Sequence, residues 1–290
     1  MSSNLNLTQA AKNFEEHLKT SGRATATILA YTKDIDQLIV FLTADNKTEI
    51  KKINQQDINA FKESLMSQDY TAKSISRKIN SIKSFFKYLT YQGQLDKNPA
   101  EQIEHPKYEI TPPRILTQME YRALRDACKE DSRMASVIEL LLQTGMRISE
   151  VANLTIQNLD FQKDAIIIDE HDTHPGRTVP MSNSVKATLQ KYIEDRPRCK
   201  ARGLFVTKTC NPFLVRNIRS SIDRYFRLAG IKNVKVNDLR HTFIAHQLSC
   251  GAPLTYISQM AGHKRLSTTE KYLQFIDSKK DGNKNRLFEL

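Results

Sequence analysis

The chain has no tryptophan in its 290 residues, and aromatic side chains make up only 8% of it. A surface that grips single-stranded nucleic acid by stacking successive bases needs such rings, so that mode of binding has little support. Cysteine is scarce as well. Cys128, Cys199, Cys210 and Cys250 are scattered without CxxC spacing, which argues against zinc and fits reduced, partly buried thiols in a cytoplasmic protein. No apolar run is long enough to span a bilayer, and the opening MSSNLNLTQA lacks the basic-then-apolar form of a secretory signal. Acid is the last shortage: 32 Asp and Glu stand against 44 Lys and Arg, a net charge of +12, with a pI of about 9.5. That excess favours a polyanionic partner, nucleic acid before anionic membrane, and duplex phosphates before single strands. Hydrophobic content of 39% supports a real core, and the length suggests about two domains.

What is present is mostly helical pattern. Residues 1–103 read as all helix. NLTQAAKNFEEHLKTSG carries Ala10, Phe14 and Leu18 at four-residue steps before Gly22, and TATILAYTKDIDQLIVFLTADN places Leu29, Ile35, Leu38 and Phe41 roughly on one face. INQQDINAFKESLMSQ offers Ile58, Phe61 and Leu65. TAKSISRKINSIKSFFKYLTYQG turns Ile75, Ile79, Ile82, Phe85, Phe86 and Leu89 inward and Lys73, Arg77, Lys78, Lys83 and Lys87 outward. A basic stripe opposite an apolar one suits a helix lying on phosphate backbone, and a solvated face gives the same pattern. EHPKYEITPPRILT, with three prolines, reads as a linker over residues 104–117. Residues 118–290 change texture. SRMASVIELLLQTG has Met134, Val137, Ile138, Leu141 and Leu142 at helical spacing with Gly145 as its stop, while Ile166, Ile167 and Ile168, a Thr-His-Pro-Gly turn and RTVPM predict a hairpin. Helices then resume. The expected class is mainly α with a small β-sheet.

Polar residues gather at element ends in this second part. Arg147 follows Gly145 in TGMRISEVANL, with Glu150 three residues on to hold it; a surface arginine with a neighbouring ion pair reads the same way. Arg240 lies in VNDLRHTFIAHQLSCG, between core residues Leu239 and Phe243, just inside a helix whose cap is Asn237 or Asp238. A helix start is electropositive and suits an anion. His263 follows Gly262 in AGHKRLSTTEKYL, where Ser267 and Glu270 form a capping-box pattern that puts Tyr272 in the second turn of a helix.

TGMRISEVANL, NDLRHTFIAHQLSCG and AGHKRLSTTEKYL, in that order and at these spacings, resemble the tyrosine site-specific recombinases, in particular the simple Xer-type members related to phage integrases. The resemblance covers nearly the whole chain. It implies a helical, SAM-like core-binding domain, a linker and a catalytic domain, together forming a C-shaped clamp on duplex DNA. The implied reaction is attack of a tyrosine hydroxyl on a phosphodiester, which joins the protein to the 3′ phosphate and frees a 5′ hydroxyl. Because the ester is conserved, rejoining needs neither ATP nor metal, and no cofactor is implied. By resemblance Arg147 and Arg240 clamp the scissile phosphate, His263 bonds a non-bridging oxygen, Tyr272 is the nucleophile and Glu150 orients Arg147. Planar, bidentate guanidinium groups suit a pentavalent phosphorane that has no metal to share its charge. The resemblance further implies four protomers on two specific core sites, with the tail residues Leu287, Phe288 and Leu290 docking on a neighbour or folding back on their own domain. Helical texture from about residue 5 leaves no sign of the extra arm-binding domain of some phage integrases, and accessory proteins stay compatible with a short core site.

Two positions depart from the family pattern. The place three residues before the second arginine, usually His and sometimes Lys, is Asn237, which can bond phosphate but cannot take the tyrosine proton. The hairpin-turn lysine, the usual acid for the leaving 5′ oxygen, aligns with Asp172. His174 in the turn is the substitute expected here, with Lys163 and Lys264 as further candidates. A zinc site from His171, Asp172 and His174 lacks a fourth ligand. These departures keep open a catalytically weakened relative that binds DNA as an architectural or regulatory protein. A type IB topoisomerase shares the chemistry, but the helical first domain and chain length fit a recombinase better.

Overall fold

Polar side chains punctuate the chain where its helices begin. The computed structural model describes residues 6–109, 111–170 and 175–275, and the chain divides into two units, Met1–Ile110 and Thr111–Leu290. In the first unit Asn6 caps α1 (Leu7–Thr20), Asn54 and Asp57 form a reciprocal cap on α3 (Gln55–Ser67), and Thr71 caps α4 (Ala72–Tyr91). Each cap satisfies amide donors that the first helical turn leaves unpaired. With α2 (Thr25–Ala44) these helices enclose a core in which Phe14, Leu38, Phe85 and Phe86 are fully buried. Phe14 and Phe85 meet edge to face at 5.4 Å.

The inward stripe of α2 runs through Asp34, Ile35, Leu38 and Leu42, and Leu29 is exposed. Six residues before Ile35, Leu29 falls on another side of a 3.6-residue helix, so its expected core role is corrected. Asp34 explains a second correction. It is 1% exposed, and a carboxylate so buried must be paired. Lys78 Nζ donates to it at 3.0 Å and to Gln37 Oε1 at 2.6 Å, and Ser81 Oγ donates at 2.7 Å. Arg77 closes the group from outside through both terminal nitrogens. Lys78 is therefore a buried counter-ion between α2 and α4, not part of an outward basic stripe. Lys73 and Lys87 are exposed, Lys83 is half-buried, and Arg77 faces both ways.

The second unit is built around α6 (Ser132–Thr144), capped by Asp131 and buried along most of its length. A helix apolar on all sides belongs at a centre. It is packed by α5 (Gln118–Cys128), α8 (Asn183–Asp195), α9 (Val215–Leu228) and α10 (Val236–Ser249). The short α7 (Ile148–Asn153) follows it, and α11 (Leu254–Ala261) and α12 (Ser267–Glu270) close the unit. A three-stranded antiparallel sheet of β1 (Leu159–Asp160), β2 (Ala165–Ile168) and β3 (Arg177–Pro180) flanks this bundle, in the order β1-β2-β3. Its register pairs Ile166 with Val179 and Ile168 with Arg177. Ile166, Ile168 and Val179 are buried whereas Ile167 is 44% exposed, so the two-residue strand period places Arg177 on the inward face.

Two expected helix starts differ. The cap of α10 is Lys235, whose amide donates to the Asp238 carboxylate at 2.7 Å, so Asn237 lies inside the first turn. At α12 no side chain makes a capping bond, and Tyr272 lies in the 3-10 turn Lys271–Phe275 that continues it. Thr269 of the same segment is instead bonded to His263. The helix that Ser267 and Glu270 suggested is a single turn, begun after Leu266 and continued as 3-10.

Gly145 ends α6 in the left-handed region at φ 61°, and a Cβ there would collide with the Phe243 ring. Both the backbone and the packing reject a side chain. Gly145→Ala is expected to destabilise the second unit by about 2 kcal/mol, read as a shift of its urea midpoint; an unchanged midpoint would contradict this account.

Candidate active site

Gly145 reverses the chain so that Arg147 begins α7, where Glu150 folds back on it. Glu150 Oε2 accepts from the Arg147 amide at 2.8 Å and Oε1 from Arg147 Nη1 at 2.9 Å. The same carboxylate takes Arg177 in fork-to-fork geometry, Nη1 to Oε1 and Nη2 to Oε2, both at 2.8 Å. Burial alone would raise the Glu150 pKa, but the hydrogen bonds and charge of Arg177, with those of Arg147, override it and hold it at about 2. Arg177 Nε also donates to the Met260 carbonyl at 2.8 Å. One carboxylate thus joins α7, β3 and the end of α11.

That end of α11 is where the two motif arginines meet. Arg147 Nη2 donates to the Gly262 carbonyl at 2.7 Å, and its Nη1 reaches that of Ala261 at 3.5 Å. Arg240, from α10, donates to the same Ala261 carbonyl at 2.6 Å and to the Gly145 carbonyl. Burial first, and then the charge of Arg147, lower the Arg240 pKa to about 9. A buried guanidinium facing another cation is a place where an anion is favoured. Gly262 sits at the junction with φ 64°, and a Cβ on it would lie 2.7 Å from Arg177 Nη1 and 3.2 Å from Arg147 Nη1.

His263 comes next in the chain, its Nδ1 bonded to Thr269 Oγ1 at 2.7 Å. Burial, reinforced by the charges of Arg240, Arg147 and Arg177, lowers its pKa to about 4. The ring is neutral near pH 7 and keeps Nε2 for a further partner. Tyr272 is 6% exposed, and burial raises its phenol pKa while the charge of Arg240 opposes the rise. Its hydroxyl lies 2.5 Å from Nδ1 of His241, and Nε2 of His241 lies 2.7 Å from the Asn237 amide.

Arg147, Arg240, Glu150 and His263 therefore gather around residues 261–263, and Tyr272 joins them through His241, the neighbour of Arg240. Asn237 stands one helical turn before His241 on the same face of α10. Lys163 is exposed and pairs with Asp160 at 3.9 Å, and Lys264 is exposed. His174, with His171 and Asp172, lies outside the described residues, as do Leu287, Phe288 and Leu290 of the tail. Among the described residues no cluster of metal-ligating side chains is found, and no helix is long and apolar enough to cross a membrane. Sequence reasoning missed Arg177, His241 and Thr269. Strand alternation, with Thr178 outward and Val179 inward, was the signal for Arg177, and the four-residue step from Asn237 was the signal for His241.

The electrostatics set a sign for pH. A histidine free in the unfolded chain titrates near ~6.5, and His263 does so at about 4 in the fold. Between those values the unfolded chain binds the proton more tightly, so stability falls as pH drops through that window. In an NMR titration of the DNA-free protein the His263 ring is expected to stay neutral down to pH ~5; a midpoint near ~6.5 would refute the buried, cation-flanked placement.

Comparison with known proteins places this geometry in a family. Residues 114–278 match the phage integrase family and residues 11–93 match the phage integrase N-terminal SAM-like domain. A tyrosine recombinase from Pseudothermotoga lettingae is 30% identical over 283 residues, covering 96% of this chain and 98% of that protein. A tyrosine recombinase from Thermosipho africanus is 33% identical, covering 88% and 90%. The fold is shared with the Tn1549 transposon integrase solved in complex with transposon right end DNA, at a TM-score of 0.78 and 20% identity, covering 92% of this chain and 94% of that one. The family match spans more than half of the chain and a relative aligns along nearly all of it, and this chain accordingly belongs to the phage integrase family, among its Xer-like tyrosine recombinases.

Proposed function

We propose that this protein cleaves and rejoins duplex DNA at a specific core site through a 3′-phosphotyrosyl intermediate. The observation that carries the reading is the convergence of Arg147 and Arg240, from separate elements, on the single carbonyl of Ala261. Their guanidinium groups meet at that carbonyl, neutral His263 follows two residues on, and the Tyr272 hydroxyl bonds His241, the residue after Arg240. A phosphate entering there replaces weak carbonyl acceptors with charged oxygens, and charge-assisted bonds to a phosphate are the stronger kind. The two guanidinium groups take the non-bridging oxygens, His263 Nε2 donates to one of them, and Glu150 with Arg177 keeps Arg147 in place. The extra negative charge of the phosphorane falls on donors already fixed by the fold, so little reorganisation accompanies the reaction. The phenol oxygen bonds to phosphorus as the P–O5′ bond breaks, and the leaving oxygen takes a proton from the acid for which His174, Lys163 and Lys264 are candidates.

Both units engage the duplex in this reading, the first through Lys73, Arg77, Lys83 and Lys87. Four copies assemble on two sites, with or without accessory proteins, in the cytoplasm where the DNA lies. The substitution of Asn237 for the family's usual histidine supports a second reading, in which the protein binds DNA without cutting it.

A nicked suicide duplex distinguishes them, its site taken from DNA recovered with the trapped protein. Wild-type protein is expected to form a covalent 3′ adduct that Tyr272→Phe abolishes. Arg147→Ala and Arg240→Ala should each lower adduct formation by on the order of 10²–10³-fold while keeping most duplex affinity, since affinity is spread over many phosphate contacts. Tight binding without any adduct in the wild type would select the architectural reading, and relaxation of supercoils lacking the site would select a topoisomerase.

A further inference from the structure

The clamp described above supplies positive charge but leaves the nucleophile's proton unassigned. Tyr272 is buried and its phenol pKa is raised above the ordinary value, burial being the first cause, so a neutral hydroxyl must lose its proton during attack. Asn237, where the family has a proton acceptor, has no basic atom for that proton. The two motif arginines are donors only, and His263 already uses Nδ1 for Thr269.

We infer that His241 is the general base for Tyr272, held in the required tautomer by Asn237. Its Nδ1 is 2.5 Å from the phenol oxygen, within the reach that proton transfer demands. For Nδ1 to accept, Nε2 must carry the ring proton and face an acceptor. In the recorded rotamer Asn237 presents its amide nitrogen, Nδ2, to Nε2 at 2.7 Å. A half-turn about the last side-chain torsion exchanges nitrogen for oxygen at that place. With the oxygen there, Asn237 Oδ1 accepts Nε2–H, and Nδ1 is free to take the phenolic proton. With the nitrogen there, the proton moves to Nδ1, and His241 becomes a donor that restrains the phenol. In this reading the proton acceptor stands one helical turn along α10 from position 237, at His241, and Asn237 is its orienter. His241 is half-buried, faces Asp238 and Arg240 as its charged neighbours, and has its pKa lowered mainly by burial, so it is neutral and competent near pH 7.

The step balances. The Tyr272 O–H bond breaks and its proton passes to His241 Nδ1, the Tyr272 O–P bond forms, and the P–O5′ bond breaks as the 5′ oxygen takes a proton from the separate acid of the proposed reaction. When the 5′ hydroxyl of the recombining strand attacks the phosphotyrosine, its proton returns to the conjugate base of that acid, the O–P bond to Tyr272 breaks, and imidazolium returns its proton to the departing phenolate. The inference rests on Tyr272 being the nucleophile.

The test combines a kinetic and a spectroscopic arm. In single-turnover cleavage of the nicked suicide duplex, His241→Gln is expected to slow adduct formation by on the order of 10²-fold, a usual range for loss of a positioned base. Installing 3,5-difluorotyrosine at position 272 lowers the phenol pKa and lessens the need for a base, so the same His241→Gln change should then cost about 10-fold or less. A loss equal on both phenols, or none on either, overturns the inference. The second arm needs no DNA. Nitrogen-15 shifts of the His241 ring are expected to report protonated Nε2 and unprotonated Nδ1 in the wild type, and a mixture in Asn237→Ala; protonated Nδ1 in the wild type overturns it. If Tyr272→Phe still forms the adduct, the nucleophile assignment falls and this one with it. If Tyr272→Phe is dead and His241→Gln is not, only His241 is removed.

Discussion

A single buried carboxylate holds the second unit's arginines in order. Glu150 takes two guanidinium groups at once, one from its own helical turn and one from a strand 27 residues away. Alone, such a carboxylate would be costly in an apolar surrounding; paired in fork geometry it is stabilised as an anion. The consequence is mechanical as well as electrostatic. Arg177 binds the last carbonyl-bearing turn of α11 while Arg147 binds the residue after it. The segment that carries His263 therefore cannot move independently of α7 and β3.

The remaining charge balance of the site is deliberately one-sided. Three arginines lie near His263, and burial together with their charges suppresses its protonation, while burial and the charge of Arg147 hold Arg240 in a position that disfavours its own charge. Backbone carbonyls at 145, 261 and 262 satisfy the donors meanwhile. They are neutral acceptors, and in the proposed reaction the charged phosphate oxygens would take their place while Arg147 keeps its pairing with Glu150.

Much of this was legible in the residues. Apolar spacing located the main helices, Gly145 marked the stop of α6, and the Ile166–Ile168 run with RTVPM marked the hairpin. The three motifs named the arginines, the histidine and the tyrosine. What escaped depends on partners distant in sequence. Lys78, three residues after Ile75 and four before Ile82, falls within the apolar stripe of α4, and Asp34 and Gln37, more than forty residues earlier on α2, are the partners that let its charge be buried there. Asn237 looks like a cap because asparagine usually is one, yet α10 is capped at Lys235, whose amide donates to Asp238, and the Asn237 amide faces His241. Arg177 reads as a strand residue among polar neighbours until its register against Ile168 fixes the side it faces. Ser267 and Glu270 have the letters of a capping box, but Thr269 between them is already engaged. Local rules locate elements; they do not decide which of several plausible partners a polar atom accepts.

Gly262 is the smallest part of the arrangement, and a side chain there is opposed twice. Its left-handed backbone and the arginine nitrogens pressed against its missing side chain are separate reasons for hydrogen at that carbon. Any added methyl would have to displace two guanidinium groups from their shared acceptor. In the proposed reaction Gly262 contributes no atom to bond making. What it contributes is vacancy, the one property that no larger residue can imitate.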